Sequence, residues 1–364
     1  MCAAPLEKKL PLVAEHDAAP LLYNAGRGRA ECESSVAKSS VRFVGQSTTP
    51  SSKQSLISTR DALLSQLCQA LADRFGITPN YQMMMKLQRI YGDLESSKLQ
   101  QRVIGLLSFP AAHPSWLELV AKLTVHETYF FRDEPQLNVL RQKLLPHLLK
   151  MAMCKPSPRL RILSAGCSTG EEAYSLSMLV LDSILEAGYA YGSAKSGITL
   201  LPGLQLEVLG VDVSTKALNK AQQANYTNEG LGSFRNMAPQ WLYWFDRTSV
   251  EGSSDLDLGA YLNAKPQTHR RPKEYVRKVT RFEQHNLLEG GSHLGLFDMV
   301  ICRNTMIYFN DVNKAIAQNH LFDLLKPEGI LLLGATDPLQ CPERCDQNRH
   351  HGMAYYTHKR DRIP

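Results

Sequence analysis

Residues 163–172 read LSAGCSTGEE and decide the fold class, because they predict a strand that turns sharply into a helix. Gly166 and Gly170 let the backbone approach a ligand closely, and the first N–H groups of the helix are available to bind one. Two later segments follow in a matching order, an apolar run that ends at Asp212 and the sequence FDMVICRNTMIYF at 297–309. A carboxylate at the end of a neighbouring strand can accept hydrogen bonds from both hydroxyls of a ribose. The three segments together predict a pocket for a ligand that carries adenosine.

The glycine loop argues against a dinucleotide. A pyrophosphate is typically bound by G-x-G-x-x-G and an uncharged helix start, whereas this loop has the spacing Gly-x-x-x-Gly and is followed by Glu171 and Glu172. Two carboxylates repel a pyrophosphate and suit a ligand with a cationic end, such as the ammonium and sulfonium groups of S-adenosylmethionine. Acids in the first turn also complement the helix macrodipole, which explains the pair equally well when it is taken alone. The order of the three segments favours the ligand.

Four blocks of the sequence resemble the CheR-type chemotaxis receptor methyltransferases, which esterify glutamate side chains on receptors with S-adenosylmethionine. The blocks are HETYFFR (126–132), SAGCSTGEEAYSL (164–176), NLL (286–288) and FDMVICRNTMIYF (297–309). The glycine loop alone is typical of methyltransferases in general, while the first and last blocks together are highly specific. The likeness extends from about Asp61 to the C-terminus.

The resemblance implies a role for each residue of the predicted site. Arg132 is expected at the cofactor carboxylate and in the active site, and Arg303 and Tyr308 beside the methyl-transfer centre. His126 stands where many relatives carry a small polar residue or asparagine, and local backbone is an alternative partner for it. The residues expected to bind the cofactor are His126, Thr128, Arg132, Gly166, Glu171, Asp212, Asn286, Leu287, Arg303 and Asn304.

Each of these residues is expected to contact a particular part of the cofactor. Thr128 and Glu171 are expected at its methionine end and Asp212 at the ribose. The adenosine portion is expected between Asn286 and Leu287. Asn304 is expected at the floor of the pocket.

The chemistry expected at such a site needs no general base. A glutamate side chain is already ionised at neutral pH, since an unperturbed glutamate titrates near pH ~4.3. The site must hold the nucleophile, the methyl carbon and the sulfur in line and exclude water. Arginine and tyrosine orient a carboxylate well, because one offers a planar fork and the other a directed hydroxyl. Without the context of the motif, Arg132 could equally be a residue that caps a helix or forms an ion pair between domains, and Tyr308 could be a core aromatic residue.

The chain of 364 residues is long enough for two domains. Residues 1–58 show little apolar periodicity, which is typical of a disordered leader. Within 59–135 leucines recur at helical spacing up to Phe75, which predicts a helical N-terminal domain. Residues 136–364 are predicted to form the catalytic domain, with a polar insertion at about 246–278.

The predicted fold class is α/β, a Rossmann-like S-adenosylmethionine-dependent methyltransferase sheet with helices on both faces, preceded by a small all-helical domain. Short apolar runs that alternate with helical segments predict a mostly parallel sheet. The runs are RLRILSA, LQLEVLGVDV, VTRFEQHNL, FDMVICRN and GILLLGA, and MAYYTHK is predicted as a final antiparallel strand. The resemblance implies seven strands. It also implies a small receptor-contacting β-subdomain at the insertion, whose weak strand signals fit a surface excursion equally well.

Charge and cysteine content limit the classes of partner that we expect for this protein. The net charge of +6 is mild, and no basic run carries interleaved aromatic residues, so a nucleic-acid partner is not expected. Eight cysteines without a C-x-x-C pair indicate reduced thiols in the cytoplasm. Membrane insertion is not expected, because no apolar stretch has the length of a spanning helix. A metal is not expected either, since the spacing of the group Cys341, Cys345, His350 and His351 matches no common zinc module.

The expected partner is a methyl-accepting receptor or a receptor-like coiled coil, but the helical region weakens that expectation. The helix that is strongly basic in chemotaxis relatives corresponds here to YQMMMKLQRIYGDLESSKLQQR, in which Asp93 and Glu95 dilute the cations. Two alternatives therefore stay open. One is a methyltransferase of the same fold that acts on another carboxylate acceptor, and the other is a non-catalytic S-adenosylmethionine-binding signalling module.

Overall fold

Apolar residues at helical spacing build the first part of the fold. The computed structural model describes residues 52–124, 127–227, 232–248 and 269–359, and the side chains from residue 59 onward. The expected leader therefore lies outside the described residues, apart from the backbone of 52–58. His126 and most of the predicted insertion also lie outside them. Contacts divide the chain into Met1–Gln54 and Ser55–Pro364, so the helical region and the sheet belong to one unit.

Helices surround the sheet and precede it. They are α1 (Ser52–Phe75), α2 (Tyr81–Tyr91), α3 (Ser96–Ser108), α4 (Pro114–Leu123), α5 (Glu134–Val139), α6 (Leu145–Met153), α7 (Glu171–Glu186), α8 (Thr215–Gln223), α9 (Glu274–Lys278) and α10 (Asp311–Asp323), with a π-helical turn at Leu140–Leu144 between α5 and α6. In α1 the residues Leu67 and Leu71 are fully buried, and they pack with Leu87 of α2 and Trp116 of α4 in one apolar cluster. The all-helical region predicted from the leucine spacing is confirmed.

All six strand segments predicted from the sequence are strands in the structure, which also contains further short or polar strands. They are β1 (Arg159–Ala165), β2 (Ala190–Ser193), β3 (Gly197–Leu200), β4 (Gln205–Asp212), β5 (Tyr226–Thr227), β6 (Phe245–Thr248), β7 (His269–Pro272), β8 (Thr280–Gln284), β9 (Phe297–Cys302), β10 (Leu325–Leu333), β11 (Cys345–His350) and β12 (Met353–His358). Seven of them form the main sheet in the order β11-β12-β10-β9-β1-β4-β8. Neighbours from β10 to β8 run parallel, and β12 is antiparallel to β10 and β11.

Helices cover both faces of this sheet. Ile330 and Leu332 of β10 enter the cluster that contains Leu176 of α7, whereas Leu331 and Leu333 enter the cluster that contains Phe322 of α10. This alternation is the period of two expected for a strand buried on both sides. The predicted doubly covered α/β sheet is confirmed.

Short or polar strands are where sequence and structure differ. The insertion region contributes β6 and β7, which join β5 in a three-stranded antiparallel sheet. The hairpin β2–β3 and the strand Cys345–His350 were not among the predicted runs, and Cys345–His350 pairs with β12 along its whole length. These strands lie at edges or in small sheets, where one polar face removes the apolar signal. Among the described residues, no helix has both the length and the apolar character needed to cross a bilayer.

Gly170 shows how tightly the glycine loop is packed. It precedes α7 with a φ of 93°, a conformation that favours glycine. A Cβ at this position would lie 2.7 Å from the Cβ of Ala221 in α8 and 3.0 Å from the hydroxyl of Tyr226. Only glycine at position 170 therefore allows α7 to begin this close to α8.

We expect Gly170→Ala to lower the free energy of unfolding by about 2 kcal/mol or more, because backbone strain and overlap with Ala221 add together. Gly105 is the matched control, since it lies within α3 and an added Cβ would meet nothing within 4 Å. Gly105→Ala should raise stability by about 0.5–1 kcal/mol. Urea denaturation measures both changes, and equal effects of the two substitutions would contradict the packing argument.

Candidate active site

The pocket lies where three adjacent parallel strands end. β9, β1 and β4 are neighbours in the sheet, and Arg303, Gly166 and Asp212 stand at or just after their carboxyl ends. In open α/β sheets ligands bind at this edge. The pocket encloses about 960 Å³ of empty space, its open mouth included. Its lining comprises Phe75, Ile77, Thr124, Glu127, Thr128, Arg132, Gly166, Cys167, Ser168, Glu172, Asp212, Val213, His285, Asn286, Leu287, Arg303, Asn304, Thr305, Tyr308 and Phe309.

Asp212 is held by two backbone donors. The N–H of Ser168 donates to its Oδ2 and the N–H of Ser214 to its Oδ1, both at 2.8 Å. The first contact ties the end of β4 to the glycine loop after β1, and the second starts the turn into α8. These two donors fix the direction of the carboxylate of Asp212, which lines the pocket.

Gly166 brings two pocket segments together. Its φ is 79°, and a Cβ here would lie 2.3 Å from the side chain of Thr305. The N–H groups of Gly166 and Cys167 both donate to the carbonyl of Val211. The glycine loop is therefore fixed to β4 on one side and to the turn after β9 on the other.

The two adjacent glutamates of the loop face different surroundings. Glu171 is 2% exposed, does not line the pocket, and accepts hydrogen bonds from the hydroxyls of Thr169 and Ser233. Glu172 does line the pocket, and it accepts from Ser164 at 2.7 Å and from Nε of Arg303 at 2.8 Å. Successive residues on a helix point about 100° apart, so only one of the pair can face a given ligand.

Arg303 is buried and already has several acceptors. Its side chain is 3% exposed, and besides Glu172 it donates through Nη1 to the carbonyl of Arg132 at 3.0 Å and to Oε1 of Gln136 at 3.1 Å. Asp133 lies 3.6 Å from the same nitrogen. The guanidinium therefore fixes the segment that follows HETYFFR against the end of β9.

Arg132 is half-buried and lines the pocket. Its Nη1 donates to the carbonyl of Glu127 at 3.1 Å, and its guanidinium lies 5.8 Å from the ring centroid of Tyr129. Thr128 lines the pocket beside it, while His126 lies outside the described residues.

The helical region supplies one wall of the pocket and fixes Tyr308. Phe75, the last residue of α1, and Ile77, two residues after it, both line the pocket. The N–H of Thr78 donates to the carbonyl of Tyr308 at 2.8 Å, and Ile77 forms a β-bridge with Phe309. The helical region thus sets the position of Tyr308.

Asn286 makes a second connection to α1. Its Nδ2 donates to the carbonyl of Arg74 at 2.7 Å. The NLL block is therefore bound to the end of the same helix that supplies Phe75.

The structure brings most of the predicted site residues into one pocket. Glu171 is absent from its lining, and Glu172, a residue that the prediction did not include, is present. The sequence signal for Glu172 is the same pair of acids, which by itself does not indicate which member faces the ligand. The predicted residues in the lining are Thr128, Arg132, Gly166, Asp212, Asn286, Leu287, Arg303, Asn304 and Tyr308.

Comparison with known proteins identifies the family. Residues 126–243 and 236–354 match the family described as CheR methyltransferase, SAM binding domain, and together they span more than half of the chain. The protein belongs to the CheR methyltransferase family. The family match begins at the HETYFFR block and includes the glycine loop, NLL and the segment after β9.

Curated relatives of this CheR methyltransferase are chemotaxis enzymes. Chemotaxis protein methyltransferase 1 of Pseudomonas aeruginosa is 33% identical over 221 residues, covering 61% of this chain and 69% of that protein. The Borreliella burgdorferi chemotaxis protein methyltransferase is 25% identical over 286 residues, covering 78% and 89%. Chemotaxis protein methyltransferase 2 of Vibrio cholerae is 28% identical over 255 residues, covering 70% and 75%.

This membership makes the protein an S-adenosylmethionine-dependent methyltransferase. The lining of the pocket fits that cofactor. Asp212 and Glu172 offer carboxylates to hydroxyl and cationic groups, and Leu287, Phe75 and Ile77 offer apolar surface to a base. The predictions of family, fold class, enzyme class and cofactor are confirmed.

Asp337 lies beneath the turn after β9 in this methyltransferase. It is 2% exposed, and the backbone N–H groups of Asn304, Thr305 and Met306 face its carboxyl group and lower its pKa. None of these donors reaches either oxygen with hydrogen-bond geometry. Burial has the larger effect and raises the pKa of Asp337 to about 6, while Lys314 acts to lower it.

We expect Asp337→Asn to stabilise the protein above pH 6. The carboxyl loses its proton near pH 6 in the folded protein but near pH ~3.9 in the unfolded chain. Between these values the folded state binds more protons, so the wild-type free energy of unfolding falls as the pH rises from about 4 to about 6 and stays lower above it. Relative to wild type, the variant should gain up to about 3 kcal/mol over this range.

Urea denaturation of both proteins from about pH 4 to about pH 8 tests this expectation, because the range includes both pKa values. Other titrating groups, including His285, are common to the two proteins and cancel in the difference. A difference in stability that does not change with pH would contradict the assigned burial of Asp337.

Proposed function

We propose that the protein forms methyl esters on glutamate side chains of a chemotaxis-receptor-like protein. The observation that carries this proposal is that donors suited to a carboxylate, Arg132 and Tyr308, line the same pocket as Asp212 and the glycine loop. Membership in the CheR family supports it. The names of the relatives support a chemotaxis receptor as the acceptor.

Different residues of the pocket would bind different parts of the cofactor. Asp212 would accept hydrogen bonds from the ribose hydroxyls, and Asn286 and Leu287 would flank the adenine. Thr128, Arg132 and Glu172 would bind the methionine end, with the carboxylate of Glu172 taking the place first expected for Glu171. Bound in this way, S-adenosylmethionine supplies an electrophilic methyl group on a sulfonium.

The chain's own residues would position the acceptor rather than move its proton. A glutamate carboxylate is ionised at neutral pH and attacks as it stands. The hydroxyl of Tyr308 and the guanidinium of Arg132 would orient it in line with the methyl carbon. Arg303 would act indirectly, because its buried guanidinium holds Glu172 and the backbone of Arg132 in place. Asn304 would form the floor of the pocket.

The partner is proposed to be a receptor or a receptor-like coiled coil in the cytoplasm. Each of the six described cysteines is a free thiol, as in a reducing compartment. The proposed reaction places the acceptor glutamate at the mouth of the pocket. There it would meet Tyr308, whose position α1 helps to set.

A second acceptor class is favoured by the surface of α2. Lys86, one of its two cations, donates to the carbonyl of Leu123, and the exposed side chains of the helix include Tyr81 and Met85. A strongly acidic receptor surface has little to bind there. This observation favours a carboxylate acceptor on another molecule, methylated by the same site.

We expect Asp212→Ala to weaken binding of S-adenosylhomocysteine about tenfold or more, because a hydrogen bond to a charged group contributes about 1.5–3 kcal/mol. Titration calorimetry measures the change. Asp93→Ala, an exposed aspartate outside the pocket, is the control. Unchanged affinity in Asp212→Ala would remove the ribose role.

We expect Tyr308→Phe to lower kcat about tenfold or more and to leave cofactor affinity within about twofold, since its hydroxyl would act mainly on the oriented acceptor. Tyr191→Phe, an exposed tyrosine on the β2–β3 hairpin, is the control. An unaffected kcat would exclude the Tyr308 hydroxyl from the mechanism.

Incubation with methyl-labelled S-adenosylmethionine and membranes of the source cell tests the proposal as a whole. The expected result is label that alkali releases as methanol, with less label from the Asp212→Ala protein when S-adenosylmethionine is below saturation. Label that resists alkali would overturn methyl ester formation. Transfer to free carboxylic acids while receptor-containing membranes remain unlabelled would establish the second acceptor class instead.

A further inference from the structure

A short segment after β5 braces the HETYFFR block from outside the pocket. The N–H of Phe130 donates to the carbonyl of Ser233 at 2.8 Å, and the rings of Phe130 and Phe234 stack at 5.2 Å. Arg235 pairs with Glu127 at 2.8 Å. Residues 233–235, here called the brace, therefore contact the stretch of chain that carries Thr128 and Arg132 into the pocket.

The brace is anchored from within the protein by Glu171. The hydroxyl of Ser233 donates to Oε1 of Glu171 at 2.8 Å, and the hydroxyl of Thr169 donates to Oε2 at 2.6 Å. All three residues are buried. Burial raises the pKa of Glu171, and the two hydroxyl donors act in the opposite direction. Two neutral hydroxyl donors thus fix the acid, and the positive charge of Lys220 also acts to lower its pKa.

A second path joins the same helix to the same block. The hydroxyl of Ser175, one turn after Glu171, donates to the Glu171 carbonyl at 2.7 Å and accepts from the N–H of Phe131 at 2.9 Å. Consecutive residues of the block, Phe130 and Phe131, are therefore held by two serines that both bond to Glu171. One bond uses the side chain of Glu171 and the other its backbone.

We propose that Glu171 is a positioning residue, which through Ser233 fixes the wall of the cofactor pocket that carries Thr128 and Arg132 and itself touches no cofactor atom. This inference rests on the proposed cofactor pocket. It gives the first acid of the glycine loop a function different from that of Glu172. Because the brace follows β5, it also connects the three-stranded sheet to the cofactor wall.

Ser233→Ala tests the anchor, with S-adenosylhomocysteine as the probe in titration calorimetry on the full chain. We expect Kd to rise about three- to tenfold, because a buried hydrogen bond that fixes the wall is lost. The kcat at saturating S-adenosylmethionine should stay within about twofold. Ser177→Ala is the matched control, since Ser177 is buried on the same helix and bonds to Thr280 instead of the brace. Both variants should lower Tm by similar amounts, because each loses one buried hydrogen bond, but Ser177→Ala should leave Kd unchanged.

Glu171→Gln separates positioning from direct contact with the cofactor. A hydroxyl can accept as well as donate, so the amide can keep both contacts with Thr169 and Ser233. We expect a rise in Kd smaller than that of Ser233→Ala. A larger rise would show that the charge of Glu171 binds the cofactor directly and would overturn the inference.

Two further outcomes separate this inference from the proposed function. Equal Kd values for wild type and Ser233→Ala, with wild type binding normally, would overturn the positioning role alone. Wild-type protein without measurable affinity for S-adenosylhomocysteine would overturn the cofactor pocket and this inference together.

Discussion

The buried ion pair between Arg303 and Glu172 is the contact on which the rest of the site depends. Removing two charges from water is costly, and a buried pair is stable only when further hydrogen bonds satisfy both partners. Ser164 supplies one for Glu172, and the carbonyl of Arg132 supplies one for Arg303. The pair thereby joins the ends of β1 and β9, the start of α7 and the HETYFFR block. These are the elements that form the pocket.

The pocket is complete only because the helical region and the sheet share hydrogen bonds. α1 ends beside the turn after β9, where Thr78 binds the carbonyl of Tyr308 and Asn286 binds that of Arg74. Asn313 of α10 adds a bond to the carbonyl of Ala72. Backbone acceptors at the end of a helix have no partner within the helix. Asn286 satisfies the carbonyl of Arg74 here, and Asn313 adds a second donor to the carbonyl of Ala72, which already accepts from the N–H of Gly76. The cofactor wall and the helical region are consequently joined by hydrogen bonds.

Strands differ in how far the sequence could predict them. β1, β9 and β10 each contain an apolar run that is buried on both faces, and the sequence shows these runs. The start of β10 was not predicted, because the strand begins at Leu325 and its next residues are Lys326, Pro327 and Glu328. β7 reads HRRP and β11 reads CDQNRH, and neither has an apolar face long enough to show a period of two. Pairing with a neighbouring strand rather than burial makes these segments strands. The family likeness implied the number of strands, and only the structure gives their order, because local patterns carry no information about which strands are neighbours.

The sequence by itself determined the class of fold, the family and the ligand-binding edge, because glycines, apolar runs and a strand-end acid are local signals. Only the tertiary structure decided which of two adjacent glutamates faces the pocket. The helix places Glu172 there and turns Glu171 towards Ser233, 62 residues later in the chain. It also decided that Arg303 is a buried connector, since its acceptors in Glu172 and Arg132 lie 131 and 171 residues earlier. Contacts between such distant residues leave no local pattern, and they exist only once the sheet has brought the strand ends together.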